Sequence, residues 1–235
     1  MTTVRSIETM SRAMQHAHRY HAWVFSSFRA YLRPGATLEV GSGHGRYTRL
    51  LAPLAEEVIV SDIDPVAVES IRQELAGLSN VRFLVMEGIV PERVGRPVQN
   101  IVLVNILEHI EKDADFIAGC RKVLAPDGVL VIFAPAFPCL YGPMDAQAGH
   151  FRRYSRAGLR ALLETQGLRV ERLRYFNAVG FFGWLVNKWL GSGVNAPLTN
   201  AQVSLYDKLV PMLKHVDHVL PFVGQSLLAV ALPSR

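Results

Sequence analysis

The chain has little that would lock it, anchor it or export it. Its 235 residues include two cysteines, Cys120 and Cys139, which form neither a CxxC pair nor a disulfide framework. That pattern predicts a reducing, cytoplasmic setting. The longest apolar stretch, Ala178 to Val186, falls far short of the roughly 20 residues a membrane-crossing helix needs. The N-terminal MTTVRSIETMSRAMQ lacks the charged region and apolar core of a secretory leader, so none is expected. Internal repeats and low-complexity tracts are absent as well. Strong charge is also missing. The formal net charge is +5, and no stripe interleaves basic with aromatic residues, so no nucleic-acid partner is predicted. Basic residues do crowd between Arg152 and Arg174, a density that a solvated helix and strand explains as readily as an anionic ligand.

Hydrophobic residues make up 50% of the chain, enough for one large domain with a sizeable core or at most two small ones. Strand-like and helix-like segments alternate along it. ATLEV (36–40), EVIVS (57–61), VRFLV (81–85), VQNIVLVN (98–105), VLVIFA (129–134), LRVERLRYF (168–176) and SLLAVAL (226–232) read as strands. Between them Tyr47, Leu50, Leu51 and Leu54 recur at helical spacing, as do Val68, Ile71 and Leu75, then Phe116, Ile117, Cys120, Val123 and Leu124. Asp64-Pro65 reads as an N-cap with proline at the first helical position, Ser155 as the cap of a helix that Gly167 ends, and Pro126-Asp127-Gly128 as a turn. Alternating βα units with fully apolar strands predict an α/β fold, a mostly parallel sheet with helices on both faces. In such sheets ligands bind beyond the carboxyl ends of the strands, where the strand order reverses.

The first strand runs into Gly41, Gly43 and Gly45, in LEVGSGHGRY. A dinucleotide fingerprint is GxGxxG, but here the spacing is GxGxG and Arg46 stands at the third-glycine position. No Gly-Lys-Ser/Thr follows, so the turn is not a P-loop. Glu39, just before the turn, would repel a pyrophosphate and welcome an amino group. Asp62, ending the second strand, can accept hydrogen bonds from both ribose hydroxyls, which suits a nicotinamide or an adenosyl cofactor alike. Ile63 can pack beside an adenine, and Glu87-Gly88 after the third strand offers an acceptor for its amino group.

Taken in order, LEVGSGHGRYT, SDIDP, FLVMEG, VLVNILEHI and KVLAPDGVLVIFAP resemble the motifs of class I S-adenosylmethionine-dependent methyltransferases over residues 36–135. Within that class the chain is similar to the small-molecule branch that includes quinone-type and natural-product enzymes. The resemblance implies S-adenosylmethionine as cofactor and a Rossmann-like seven-stranded sheet in the order 3-2-1-4-5-7-6, with SLLAVAL as its antiparallel strand. It also implies that Glu39 and the glycines face the methionine moiety, Asp62 the ribose and Glu87 the adenine amino group. The family usually has Asp at the Glu87 position. A single domain over 1–235 is expected: a helical cover (1–35), a cofactor-binding core (36–135) and a substrate-side half (136–235).

Methyl transfer is an in-line displacement at a sulfonium carbon, so the protein must align a nucleophile and, where needed, remove its proton. The NILEH stretch places Asn105 and Leu107 beside the expected cofactor and offers His109 as a base, although the same residues can simply begin the next helix. The long segment 135–155 lacks regular periodicity and leaves the fifth strand toward the cofactor. It carries His150 as a second candidate base and Tyr141, Arg152, Arg153 and Tyr154 as candidate substrate contacts. The competing reading is that GHFRRYS pins the loop to the fold, with an arginine paired to Asp145. Tyr20, on a helix before the first strand, can close over the methionine end or merely bury that helix, as can Trp23. His16, His18 and His21 complete no metal site, and no metal is expected.

Residues 177–224 form an apolar insertion with a Gly/Asn/Pro break around 191–197 and a helix interrupted at Pro211. It suits a substrate lid, a homodimer contact or a membrane-surface patch. The favoured acceptor is a small molecule, methylated on oxygen ahead of nitrogen or carbon. The alternatives are a lipid or lipid-linked saccharide acceptor, and a binding protein that keeps the fold without turnover. A nicotinamide oxidoreductase is disfavoured by the glycine spacing.

Overall fold

A computed structural model describes residues 17–189 and 200–234. Seven strands form one sheet: β1 (Ala36–Val40), β2 (Glu57–Asp62), β3 (Val81–Val85), β4 (Val98–Val104), β5 (Leu124–Pro135), β6 (Leu168–Phe176) and β7 (Ser226–Pro233). Their order is β3-β2-β1-β4-β5-β7-β6. Pairing is parallel from β3 to β5, and β7 runs antiparallel to both its neighbours. The chain winds outward from β1 through β2 to β3, then returns to place β4 on β1's other edge. The order therefore reverses at β1, whose carboxyl end carries the glycine turn.

Strand alternation sorts the core into two layers. On β5, Leu130, Ile132 and Ala134 enter one layer and Val129, Val131 and Phe133 the other; on β7, Leu227, Ala229 and Ala231 oppose Leu228 and Val230. The first layer is covered by helices α4 (Pro91–Val94), α5 (Asp113–Val123) and α7 (Arg156–Thr165). The second is covered by α1 (His18–Phe28), α2 (Arg46–Leu51) and α9 (Asn200–Leu213). Helix α3 (Pro65–Glu74) starts as its sequence promises, with Asp64 accepting from the Val66 amide at 2.8 Å, and Ser155 caps α7 by accepting from Gly158 at 3.0 Å.

Three local readings change. Pro126 and Asp127 do not separate a helix from a strand that begins at 129. The strand begins at Leu124, and the exposed Pro-Asp pair lies where its register to β4 shifts. The segment 135–155 is ordered, with a 3₁₀ turn (Pro138–Leu140), the short α6 (Pro143–Gln147) and a bridge between Ala136 and Tyr154. Pro211 does not interrupt its helix, because α9 continues to Leu213. Proline there forgoes one backbone hydrogen bond, and the chain still coils past it, the Lys214 amide donating to the Val210 carbonyl at 3.0 Å. Trp23 packs against Phe176, ring centroids 4.2 Å apart, and so buries α1 on the sheet. The insertion consists of α8 (Ala178–Trp189), α9 and α10 (Val216–Val219), and its expected Gly/Asn/Pro break lies outside the described residues.

Candidate active site

The turn after β1 takes its shape from two of its glycines and leaves room at the third. Gly41, Gly43 and Gly45 all have positive φ (69°, 53° and 65°), a region that side chains with a Cβ rarely enter. A Cβ on Gly41 would collide with the Ile106 side chain, and one on Gly45 would press on Ile71 and Leu75. A Cβ on Gly43 would meet nothing. The Gly41 amide donates to the Ser61 carbonyl at 2.7 Å, tying the turn to the end of β2. Ser42, within the turn, has a buried hydroxyl with no hydrogen-bond partner among the described residues.

Glu39 lies just inside this turn and is 3% exposed. Burial pushes its carboxyl up to about 7, against the opposing hydrogen bonds from Thr48. The Thr48 hydroxyl, on α2, donates to Glu39 Oε2 at 2.6 Å. Thr48 is a partner that sequence reasoning missed, and only the fold of α2 back onto β1 reveals it. Asp62 is half-buried at the end of β2 and accepts from the Asp64 amide at 3.1 Å, while Ile63 beside it is 63% exposed. The Met86 amide donates to the Asp62 carbonyl at 2.9 Å, which brings exposed Glu87 and positive-φ Gly88 to the same rim. Asn105 stands exposed past β4 with φ 54°, its amide donating to the Phe133 carbonyl at 2.7 Å.

Two expected cofactor contacts are buried in the core. Leu107 is fully buried in the first core layer, and its carbonyl accepts from the Tyr154 hydroxyl at 3.1 Å. Tyr20 is 9% exposed, its ring edge-on to Phe176 and tilted against Tyr206. Apolar burial of α1 claims Tyr20, and burial pushes its phenol well above the usual value.

The acceptor-side candidates separate in the same way. Arg153 is 4% exposed; its Nε donates to both Asp145 oxygens at 2.9 Å, and its guanidinium lies over the Trp184 ring. Tyr154 is buried and donates to Asp113 at 2.9 Å. Both residues hold the loop to the fold, because a buried guanidinium or phenol needs protein partners. Arg152 is engaged at the surface with Asp113 at 3.0 Å and the Glu111 carbonyl at 2.6 Å. Tyr141 is 37% exposed and donates to the His150 carbonyl at 2.8 Å.

His109 and His150 do come together, edge to face with centroids 4.7 Å apart. His150 Nδ1 is 2.9 Å from Asp145 Oδ1. Burial alone would raise Asp145, but hydrogen bonds from His150 and Arg153 outweigh it and hold the carboxyl below its usual value. His109 keeps exposed surface, yet desolvation and the neighbouring His150 push it down to about 4. Glu108 completes the group. It is 1% exposed, and burial pushes it up to about 8 against the opposing pull of its own backbone amide and Arg153. Its carboxylate was not singled out from the sequence, where LEH reads only as the start of a helix. The trio's ligand atoms all lie within 4.8 Å of one another. The histidines first considered for a metal are apart from it: His18 contacts Arg46 and His21 contacts Tyr47, while His16 lies outside the described residues.

Residues 38–130 match the family described as methyltransferase domain. A probable S-adenosylmethionine-dependent methyltransferase of Mycolicibacterium smegmatis is 30% identical over 146 residues, 61% of this chain and 56% of the relative. Another, from Mycobacterium tuberculosis, is 27% identical over 117 residues, 50% of this chain and 42% of the relative. The chain thus spans about half the length of the curated relatives it matches. A SAM-dependent methyltransferase of Leishmania major has the same fold, with a TM-score of 0.58 at 19% identity, covering 73% of this chain and 75% of that one. Residues 38–130 are therefore similar to a methyltransferase domain, and the relatives' names point to S-adenosylmethionine as the cofactor. The residues present fit that group: Gly43 leaves space against the turn, and Ser42 offers a buried hydroxyl without a partner among the described residues. Among the described residues, no helix is long and apolar enough to cross a membrane.

Proposed function

We propose that this chain transfers the methyl group of S-adenosylmethionine to a small-molecule acceptor, on oxygen ahead of nitrogen or carbon. The observation that carries the reading is the acidic rim of the glycine turn. Glu39, Asp62 and Glu87 stand at or beside the carboxyl ends of β1, β2 and β3, around a turn whose middle glycine faces open space. Glu39 suits the methionine ammonium, Asp62 the ribose hydroxyls and Glu87 the adenine amino group. Gly41, Gly43, Gly45, Ile63, Gly88 and Asn105 supply backbone and packing contacts. Three carboxylates suit a cofactor that is cationic at sulfur and nitrogen, and would repel a pyrophosphate.

The acceptor belongs beyond Ile106, which packs against Gly41, over the turn with His109 and the loop with Tyr141, His150 and Arg152. An acceptor hydroxyl must lose its proton as the C–O bond forms and the C–S bond breaks. The imidazoles of His109 and His150, side by side with ring centroids 4.7 Å apart, lie where such an acceptor oxygen would be met.

Isothermal titration with S-adenosylhomocysteine tests the reading. Wild type should bind, and Asp62→Ala should bind about 10- to 100-fold more weakly in a folded protein, because hydrogen bonds to a charged group contribute about 1.5–3 kcal/mol. Unchanged affinity in the variant would move the ribose elsewhere. NAD binding without S-adenosylhomocysteine binding would overturn the whole assignment.

A second reading, a lipid or lipid-linked saccharide acceptor met at a membrane surface, is favoured by exposed apolar side chains on and beside the insertion helices: Phe182, Leu205, Leu209, Met212, Val219 and Phe222.

A further inference from the structure

The Glu108 carboxylate poses a problem that methyl transfer does not answer. It is 1% exposed, yet neither oxygen has a hydrogen-bond partner among the described residues. Buried carboxyl oxygens left unpaired cost free energy whether or not the group carries a proton. Arg153 and Asp145, the nearest charged groups, are paired with each other and so leave both of its oxygens without a partner. Two imidazoles face it: His150 Nε2 lies 4.0 Å from Glu108 Oε1, too far for a hydrogen bond.

We propose that Glu108, His109 and His150 bind a first-row divalent cation of the zinc type, each through one side-chain atom. Two nitrogens and one carboxylate oxygen are a borderline-soft donor set suited to Zn²⁺ and its neighbours, unlike the all-oxygen sets of Mg²⁺ and Ca²⁺. Ligand atoms around tetrahedral zinc stand about 3.4 Å apart, given bonds of about 2.1 Å. The trio, all within 4.8 Å, needs a contraction of about 1 Å, which side-chain rotation supplies.

The site is also built from behind. Asp145 takes His150 Nδ1 at 2.9 Å, which leaves Nε2 with its lone pair for a metal, the carboxylate–histidine support that orients metal ligands. Arg153 holds Asp145 in turn. The loop that carries His150 is fastened beside Glu108 by the Phe151 amide, which donates to the Glu108 carbonyl at 2.8 Å. The sequence gives little warning of this, because Glu108-His109 and His150 belong to separate segments.

Three protein ligands leave at least one coordination position open, the pattern of catalytic rather than structural sites. What the ion does there rests on the methyl-transfer reading. An acceptor oxygen on the open position would release its proton to water more readily. That oxygen would then form the C–O bond as the C–S bond breaks, leaving a neutral thioether.

Chelator-stripped full-length protein should be titrated with Zn²⁺ by calorimetry and with Co²⁺ by visible absorption. Wild type should take up one equivalent, with a cobalt spectrum of low coordination number. Glu108→Gln keeps the side chain's shape and should weaken uptake at least 100-fold, as should His109→Ala at a more exposed position. S-adenosylhomocysteine titrated into the same samples serves as the check on folding. Loss of metal uptake with cofactor binding retained upholds both the site and the methyl-transfer reading. Metal uptake lost in the variants, in a protein that never binds the cofactor, upholds the site and removes the methyl-transfer reading. Absence of uptake by wild type at millimolar Zn²⁺, or equal uptake by wild type and both variants, overturns the site.

Discussion

Glu39 shows how one residue's surroundings set its chemistry. Its carboxyl is buried, and burial raises it to about 7 from an ordinary value of 4.5. In the unfolded chain it ionises near the ordinary value; in the folded protein it holds its proton longer. Its contribution to stability is therefore greatest below about 4.5 and declines as pH rises toward 7. The cofactor's ammonium, by contrast, is best met by the ionised form. Affinity for S-adenosylhomocysteine should rise between pH 6 and pH 8, and Glu39→Gln should flatten that rise. Titrations across the range decide it, and an equal rise in the variant would place the ammonium elsewhere. Glu39 and Asp62 were legible in the sequence because each follows directly from a strand's end. The burial behind the Glu39 shift was not, because it depends on α2 folding back over β1.

Among the elements, α1 shows how a distant residue secures a helix. The Ala17 N-cap position provides no side-chain hydrogen bond. Asp207, on α9, takes that role, accepting from the Tyr20 amide at 2.8 Å and the Arg19 amide at 3.2 Å. A carboxylate at a helix N-terminus satisfies orphan amides and meets the positive end of the dipole. Asp207→Ala should cost about 1–2 kcal/mol and lower Tm by a few degrees. Thermal unfolding checks it, and hydrogen exchange should show the α1 amides losing protection first. An unchanged Tm would mean that aromatic packing alone holds the helix. Asp217 treats α8 alike, accepting from Asn177 and Ala178 at 2.7 and 2.8 Å. A helix before the first strand was expected from the sequence, but an N-cap supplied from α9 leaves no local mark.

Across the whole molecule, the insertion bears on both its core and its surface. Val203 and Val210 of α9 enter the second core layer, while Leu205, Leu209 and Met212 share its opposite, exposed face at helical spacing. An apolar face of this kind suits a membrane surface or a second copy of the chain. Liposome flotation separates the two: Leu205→Ser with Leu209→Ser should abolish flotation if the face meets lipid. If wild type does not float and instead elutes as a dimer that the variant dissociates, the face joins two copies.

The sequence by itself determined the alternation of strands and helices, the helix starts at Asp64 and Ser155, and the glycine turn with its flanking acids. Each of these depends on neighbours in the chain or on a short repeat. Only the tertiary structure decided that Arg153 and Tyr154 turn inward, that Leu107 and Tyr20 belong to the core, and that Glu108 meets His150. Those outcomes depend on segments far apart in the chain being packed side by side, where burial decides which polar groups pair with the protein and which remain for a ligand.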